Sequence, residues 1–150
     1  MKKYVNGVYV ELTPEEIAAM EQMISHKSRA ELISDSKAAL AAYLAAHPLT
    51  WVDGKTYNVT EDKQALLMGN IAAYQIEVQS NPAAVVTWNA SGEECAVWDI
   101  GQLCALAVAI KNYVKPLVAA QQAYEVAVMS AATDADANAV KLAYGEETYK

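Results

Sequence analysis

The sequence predicts an α+β fold, mainly helical, in which short β-hairpins each lead into a helix and the N-terminal helix is long. Three observations predict it. Turn residues recur at Asn6-Gly7, at Asp53-Gly54 and from Asn89 to Gly92, each flanked by β-branched or aromatic residues. A capping residue follows each of them, at Thr13, Thr60 and Asp99. Beyond each cap, apolar residues fall at three- and four-residue steps, the period of an amphipathic helix.

The first hairpin sets Tyr4-Val5 against Val8-Tyr9-Val10 around Asn6-Gly7, the pair that best tolerates the positive φ angles of a two-residue turn. Thr13-Pro14-Glu15-Glu16 then joins an N-cap hydroxyl, a proline at the first helical position and a glutamate that reaches back to the cap. No proline intervenes before Pro48, so one rod of roughly 30 residues is expected, with Ser34 to Ser36 as the place where it would break. Along it Ala19, Met23, His26, Ala30, Ile33, Lys37, Leu40 and Leu44 keep coiled-coil spacing. That seam leaves two arrangements open: a helix that oligomerises, or one that folds back on its own subunit.

The second hairpin pairs Thr50-Trp51-Val52 with Lys55-Thr56-Tyr57 around Asp53-Gly54, and Thr60 is placed to cap the next helix. Leu67, Ile71, Tyr74 and Val78 form its apolar stripe, Asn81-Pro82 ends it, and Gly69 within it suggests close packing of a neighbour. The third hairpin pairs Val85 to Trp88 with Cys95 to Trp98, and Asp99 with Gln102 begins another helix. Leu103, Leu106, Ile110, Tyr113, Leu117, Ala120 and Tyr124 hold one phase through Pro116, which predicts a single kinked helix. Thr133 caps a last short helix that Gly145 ends. The expected division is 1–46, a hairpin plus long helix for attachment or oligomerisation, and 47–150, a compact hairpin-helix module.

Isolated two-stranded ribbons are marginal in water, so the hairpins must lie on helices or on one another. Trp51, Trp88 and Trp98 read as core or as an exposed binding patch, and Tyr4, Tyr9 and Trp51 are the candidate partner surface.

Charge and motif content narrow the function. The net charge is -7, with 18 acidic residues against 11 basic ones, which opposes binding to nucleic acid or anionic lipid. Met1-Lys2-Lys3-Tyr4 leads into turn residues rather than an apolar run, so synthesis into the cytoplasm is expected. Cys104 to Ile110 meets Lys111 before reaching the length of a membrane span, so no membrane crossing is expected. His26 and His47 stand about six turns apart on the predicted rod and cannot converge without a partner chain, so His26 reads as a polar seam residue rather than a metal ligand across a symmetry axis. Cys95 and Cys104 match no zinc or redox spacing and read as buried thiols, with a disulfide between them left open. Asp134, Asp136 and Asn138 imitate the start of a calcium loop, but Ala139 and Gly145 stand where that loop needs glycine and glutamate. The letters fit the first turn of a capped helix instead. The acid pairs Glu15-Glu16, Glu93-Glu94 and Glu146-Glu147 read as solvated surface. No catalytic, cofactor-binding or metal-binding residues are assigned, no cofactor is expected, and an enzyme is the least favoured class.

Trp51-Val52-Asp53-Gly54-Lys55-Thr56-Tyr57, Gln64, Trp88 before a Gly-containing polar loop and the Leu103/Leu106 helix together resemble a domain of unknown function found in tailed-phage and prophage proteins. The resemblance runs from about Lys37 to Gly145, and Met1 to Glu16 is similar to the opening of small phage tail-region proteins. Members of that family are often encoded near tail-fibre genes. The resemblance implies a structural or adaptor protein that works by contact with phage tail or tail-fibre proteins, located in the host cytoplasm after synthesis or in the virion tail, and the Ala19 to Leu44 spacing adds the expectation of a homo-oligomer. A tail-fibre assembly chaperone absent from the finished particle is the alternative.

Overall fold

The structure, a computed structural model, describes residues 1–145 and 147–149, the last three and Ile24 by their backbone alone. Glu146, half of one expected acid pair, lies outside the described residues.

Strands β1 (Lys2–Val5) and β2 (Val8–Glu11) pair antiparallel with Tyr4 opposite Tyr9. Asn6 at φ 50° and Gly7 at φ 88° supply the two left-handed residues that the tight turn demands. Helix α1 (Pro14–Ser25) starts on the predicted box: Glu16 N–H donates to Thr13 Oγ1 at 3.2 Å, and Thr13 N–H donates to Glu16 Oε2 at 3.0 Å.

The long rod is two helices. After α1 the chain turns through His26, Lys27 and Ser28, and α2 (Arg29–Ala46) begins. A second capping box makes the break: Glu31 N–H donates to Ser28 Oγ at 3.2 Å, and Ser28 N–H donates to Glu31 Oε2 at 2.7 Å. The expected weak point, Ser34 to Ser36, stays helical because Ser36 is buried and satisfied. Its hydroxyl donates to Ile33 O at 2.6 Å and accepts from Gln121 Nε2 at 3.1 Å.

Next come β3 (Leu49–Thr50) and β4 (Thr56–Tyr57), with Leu49 opposite Tyr57. Their turn is longer than the two residues expected. Trp51 N–H donates to Lys55 O and Gly54 N–H to Trp51 O, both at 2.9 Å, so Val52, Asp53 and Gly54 form a three-residue loop with Gly54 at φ 78°. In front of α3 (Glu61–Glu77), Thr60 makes no side-chain cap. Asn58 Oδ1 instead accepts from Thr60 N–H at 2.9 Å and from its hydroxyl at 2.8 Å, which turns that side chain toward Asn58. No neighbour presses on Gly69, contrary to expectation, since a side chain there would meet open space.

Strands β5 (Val86–Trp88) and β6 (Ala96–Trp98) pair with Val86 opposite Trp98. Asp99 Oδ1 then accepts from Gln102 N–H at 3.0 Å and α4 (Ile100–Ser130) runs uninterrupted through Pro116. Pro116 and Asn112, whose carbonyl loses its partner to the proline, both sit on the exposed face where water can replace the bond. By length and composition α4 could cross a membrane, even though Lys111, Asn112 and Lys115 interrupt its apolar run. In this fold its buried stripe, Leu103 to Val128, carries the core.

After α4, Thr133 caps α5 (Asp134–Ala139) through Asp136 N–H. Gly145 does not end that helix. It turns a fourth hairpin, β7 (Leu142–Tyr144) with β8 (Glu147–Tyr149), at φ 62°. Among the described residues the four hairpins remain separate two-stranded sheets.

One core joins Leu44 of α2, Tyr57, Val59, Leu67 and Ile71 of α3, Val86, Trp88, and Leu103 to Val114 of α4. A smaller one joins Leu32, Val128 and Ala137. On α2 and α4, a polar layer stands between the two. Gln121 links Ser36 to Glu125 Oε1 at 2.6 Å, and Lys37 pairs with Glu125 at 3.3 Å, which sets the register of the two helices. The expected boundary after residue 46 therefore runs through packed structure, and the change of character lies at 26–28.

Candidate functional site

The residues ahead of that turn leave their apolar side chains outside. Alternation puts Lys2, Tyr4, Tyr9 and Glu11 on one face of the first hairpin and Lys3, Val5, Val8 and Val10 on the other. Tyr4 is 65% exposed and Tyr9 70%, with ring centroids 4.9 Å apart. Val5, Val8 and Val10 on the opposite face are exposed as well, as are Met20 and Met23 on α1. A ribbon with no buried face has little apolar burial to hold it beyond its turn. An ion pair between Lys3 and Glu16 ties the hairpin to α1. The same lysine hydrogen bond, with the Thr13 backbone second, holds the Glu16 carboxyl below the ordinary range.

The joint behind α1 is fastened from the far end of the chain. Asn138 Oδ1 accepts from Lys27 N–H at 3.0 Å while Asn138 Nδ2 donates to Lys27 O at 3.0 Å, so one side-chain amide satisfies both backbone groups of Lys27. Arg29 Nη1 donates to Val128 O at 2.8 Å and Met129 O at 3.0 Å, capping the end of α4, and Arg29 Nε meets Asp134 Oδ1 at 3.3 Å. The letters that imitate a calcium loop thus lie in α5 behind its Thr133 cap, and Asp134 and Asn138 among them clamp the joint.

The proposed seam does not survive as one surface, because the turn at 26–28 divides it. Ala19 and Met23 belong to α1 and are exposed, as is Ala30 on α2; His26 sits in the turn, half-buried. Ile33 and Leu40 are half-buried and Leu44 is buried, packing within the subunit, while Lys37 is exposed and reaches Glu125. The inward face of α2 is set by Leu32, Ser36 and Leu44, and the serine in its middle hid it from a hydrophobic count. His47 ends α2, its ring stacked 3.9 Å from that of Tyr43 and its Nδ1 2.8 Å from Tyr43 O. Both cysteines are free thiols. Cys95 is exposed rather than buried, and Cys104 is half-buried.

Trp51 is half-buried among aromatics rather than fully outside. Its ring stacks on Trp98 with centroids 6.1 Å apart and planes 26° apart, and Tyr57 stands edge-on to both. The second and third hairpins meet here, where Ser91 N–H donates to Thr56 O at 2.8 Å and Lys55 Nζ to Glu93 Oε2 at 2.8 Å. The Tyr57 hydroxyl donates to Asp53 Oδ2 at 2.6 Å. That bond lowers the Asp53 pKa, while burial, ahead of the carboxylate, drives the Tyr57 pKa far upward. The marginal stability of isolated ribbons allowed hairpins to lie on one another but did not single out this pair, because periodicity does not say which hairpins become neighbours.

Residues 27–141 match a family described as a domain of unknown function, DUF4376. The match begins at the joint, on the residue that Asn138 clamps, and leaves the exposed hairpin and α1 outside it. No curated protein and no solved structure matches the chain. The chain belongs to the DUF4376 family.

Proposed function

We propose that this DUF4376 protein is a non-enzymatic structural or adaptor component of a phage tail, which uses its first hairpin and α1 to dock onto a tail or tail-fibre protein. The observation that carries the docking role is the exposure of Tyr4 and Tyr9, with valines exposed on the opposite face, ahead of the family-matched residues. The tail context rests on the sequence resemblance around Trp51 to Tyr57 and Trp88. Aromatic side chains suit such a role because they bring large contact area at low entropic cost and dominate binding energy at interfaces.

Co-purification from infected cells tests the reading. Tail or tail-fibre proteins captured by the intact chain and lost with Tyr4→Ser/Tyr9→Ser support it, and capture that ignores the substitution overturns the docking role. Presence in purified virions assigns a structural part. Presence in infected cells together with absence from virions assigns an assembly chaperone. Light scattering at high micromolar concentration decides whether the same surface also joins copies of the chain.

A further inference from the structure

We infer that the cleft between the second and third hairpins binds a neutral carbohydrate, with a sugar ring lying on the exposed parts of Trp51 and Trp98. All three tryptophans of the chain line this one cavity of about 400 Å³. Trp88 is buried beneath it, whereas Trp51 and Trp98 are half-buried and keep part of each indole open to solvent. An aromatic surface beside a few fixed polar groups is the composition of a small-molecule site. The apolar C–H face of a pyranose is flat and covers an indole well, while its hydroxyls stay at the edge for polar partners.

Those partners are already held in place. Asp53 accepts from the Tyr57 hydroxyl at 2.6 Å and from Lys55 N–H at 2.9 Å, and Lys55 Nζ bridges to Glu93 at 2.8 Å across the two hairpins. Glu94 and Gln102 complete the rim with one acceptor and one donor-acceptor amide. Each sugar hydroxyl both donates and accepts, so a rim mixing carboxylates with an ammonium and amides matches a polyol better than a purely apolar ligand. Fixing these groups in advance lowers the entropy lost on binding.

Charge selects within the class. Four carboxylates, Asp53, Glu93, Glu94 and Asp99, face one ammonium, Lys55, so phosphorylated, sulfated or sialylated ligands are repelled. A cationic ligand caught between the indoles is excluded by space, since rings 6.1 Å apart leave no room for an alkylammonium between them.

The test exposes the full chain to an array of neutral glucose-, galactose- and N-acetylglucosamine-based oligosaccharides beside sialylated and sulfated ones, followed by tryptophan fluorescence titration of each binder. Neutral glycans should bind, anionic ones should not, and binding should shift the emission saturably because every tryptophan lines the cleft. Trp51→Ala should weaken binding more than tenfold. Should that variant misfold, the exposed rim variants Glu94→Gln and Gln102→Ala keep the question open to decision; each should cost about three- to tenfold with an unchanged circular dichroism spectrum. No neutral glycan bound at millimolar concentration, equal binding of anionic glycans, or affinity unmoved by both rim variants overturns the proposal.

Discussion

The first and third hairpins follow the same local rules and end in opposite environments. Each is a short antiparallel pair that runs into a helix whose cap side chain, Thr13 in one case and Asp99 in the other, accepts a backbone N–H, from Glu16 and Gln102 respectively. Yet the first exposes both faces, whereas the third buries Val86 and Trp88 against α3 and α4. Turn chemistry and capping decide that a hairpin forms; long-range packing decides whether it becomes core or contact surface. The first hairpin is therefore held by its turn and its tie to α1 and stays exposed, and the third is covered by its own chain.

This contrast can be broken or sharpened by substitution. The largest effect should come from Leu106→Ala, which removes a fully buried side chain from the main core and should cost about 2–5 kcal/mol in urea unfolding, against little at the first hairpin. Asn138→Ala strips both backbone partners from Lys27 and should cost about 1–2 kcal/mol, with faster hydrogen exchange at the Lys27 amide. Ser28→Ala removes the cap that starts α2 and should cost about 1 kcal/mol. Smallest in stability is Tyr4→Ser/Tyr9→Ser, within about 0.5 kcal/mol of the parent. A thermal shift as large as that of Leu106→Ala would show that the hairpin is part of the core after all.

Titration separates the regions in another way. Burial pushes the Tyr144 hydroxyl up to about 12 from 10.0. The native state then holds a proton that the unfolded chain releases, so this stabilising contribution is present below pH 10 and lost as pH rises from 10 to about 12. Alkaline unfolding of the module should be shallower in Tyr144→Phe. On the acid side Glu16, Glu31 and Glu125 all lie below 4.5, through the Lys3, Ser28 and Gln121 hydrogen bonds respectively. Their contribution is present above 4.5 and lost as pH falls through the lowered values, in both regions alike.

Local grammar was the legible part of the fold. The Asn6-Gly7 turn, the Thr13 box, the third hairpin and the unbroken helix through Pro116 could be read because each depends on residues close in sequence. The break at 26–28 was equally local, since Ser28 and Glu31 repeat the Thr13–Glu16 pattern, but the coiled-coil period ran across it and prevailed. What could not be read depends on distant partners. Asn138 holding Lys27, Ser36 meeting Gln121, and Trp51 lying on Trp98 each join residues whose spacing carries no period. Of the candidate surface, Tyr4 and Tyr9 are exposed in a ribbon with little to bury it, whereas Trp51 is half-buried against Trp98 and Tyr57.

The Asn138 clamp on Lys27 has a consequence for inheritance. Because the backbone is fixed just behind α1 by an amide from the opposite end of the chain, the main core is assembled from residues downstream of that point. A recombination event that exchanged residues 1–26 for another segment would leave that core and its clamp intact. The joint thus separates what precedes it from what the rest of the chain needs in order to fold.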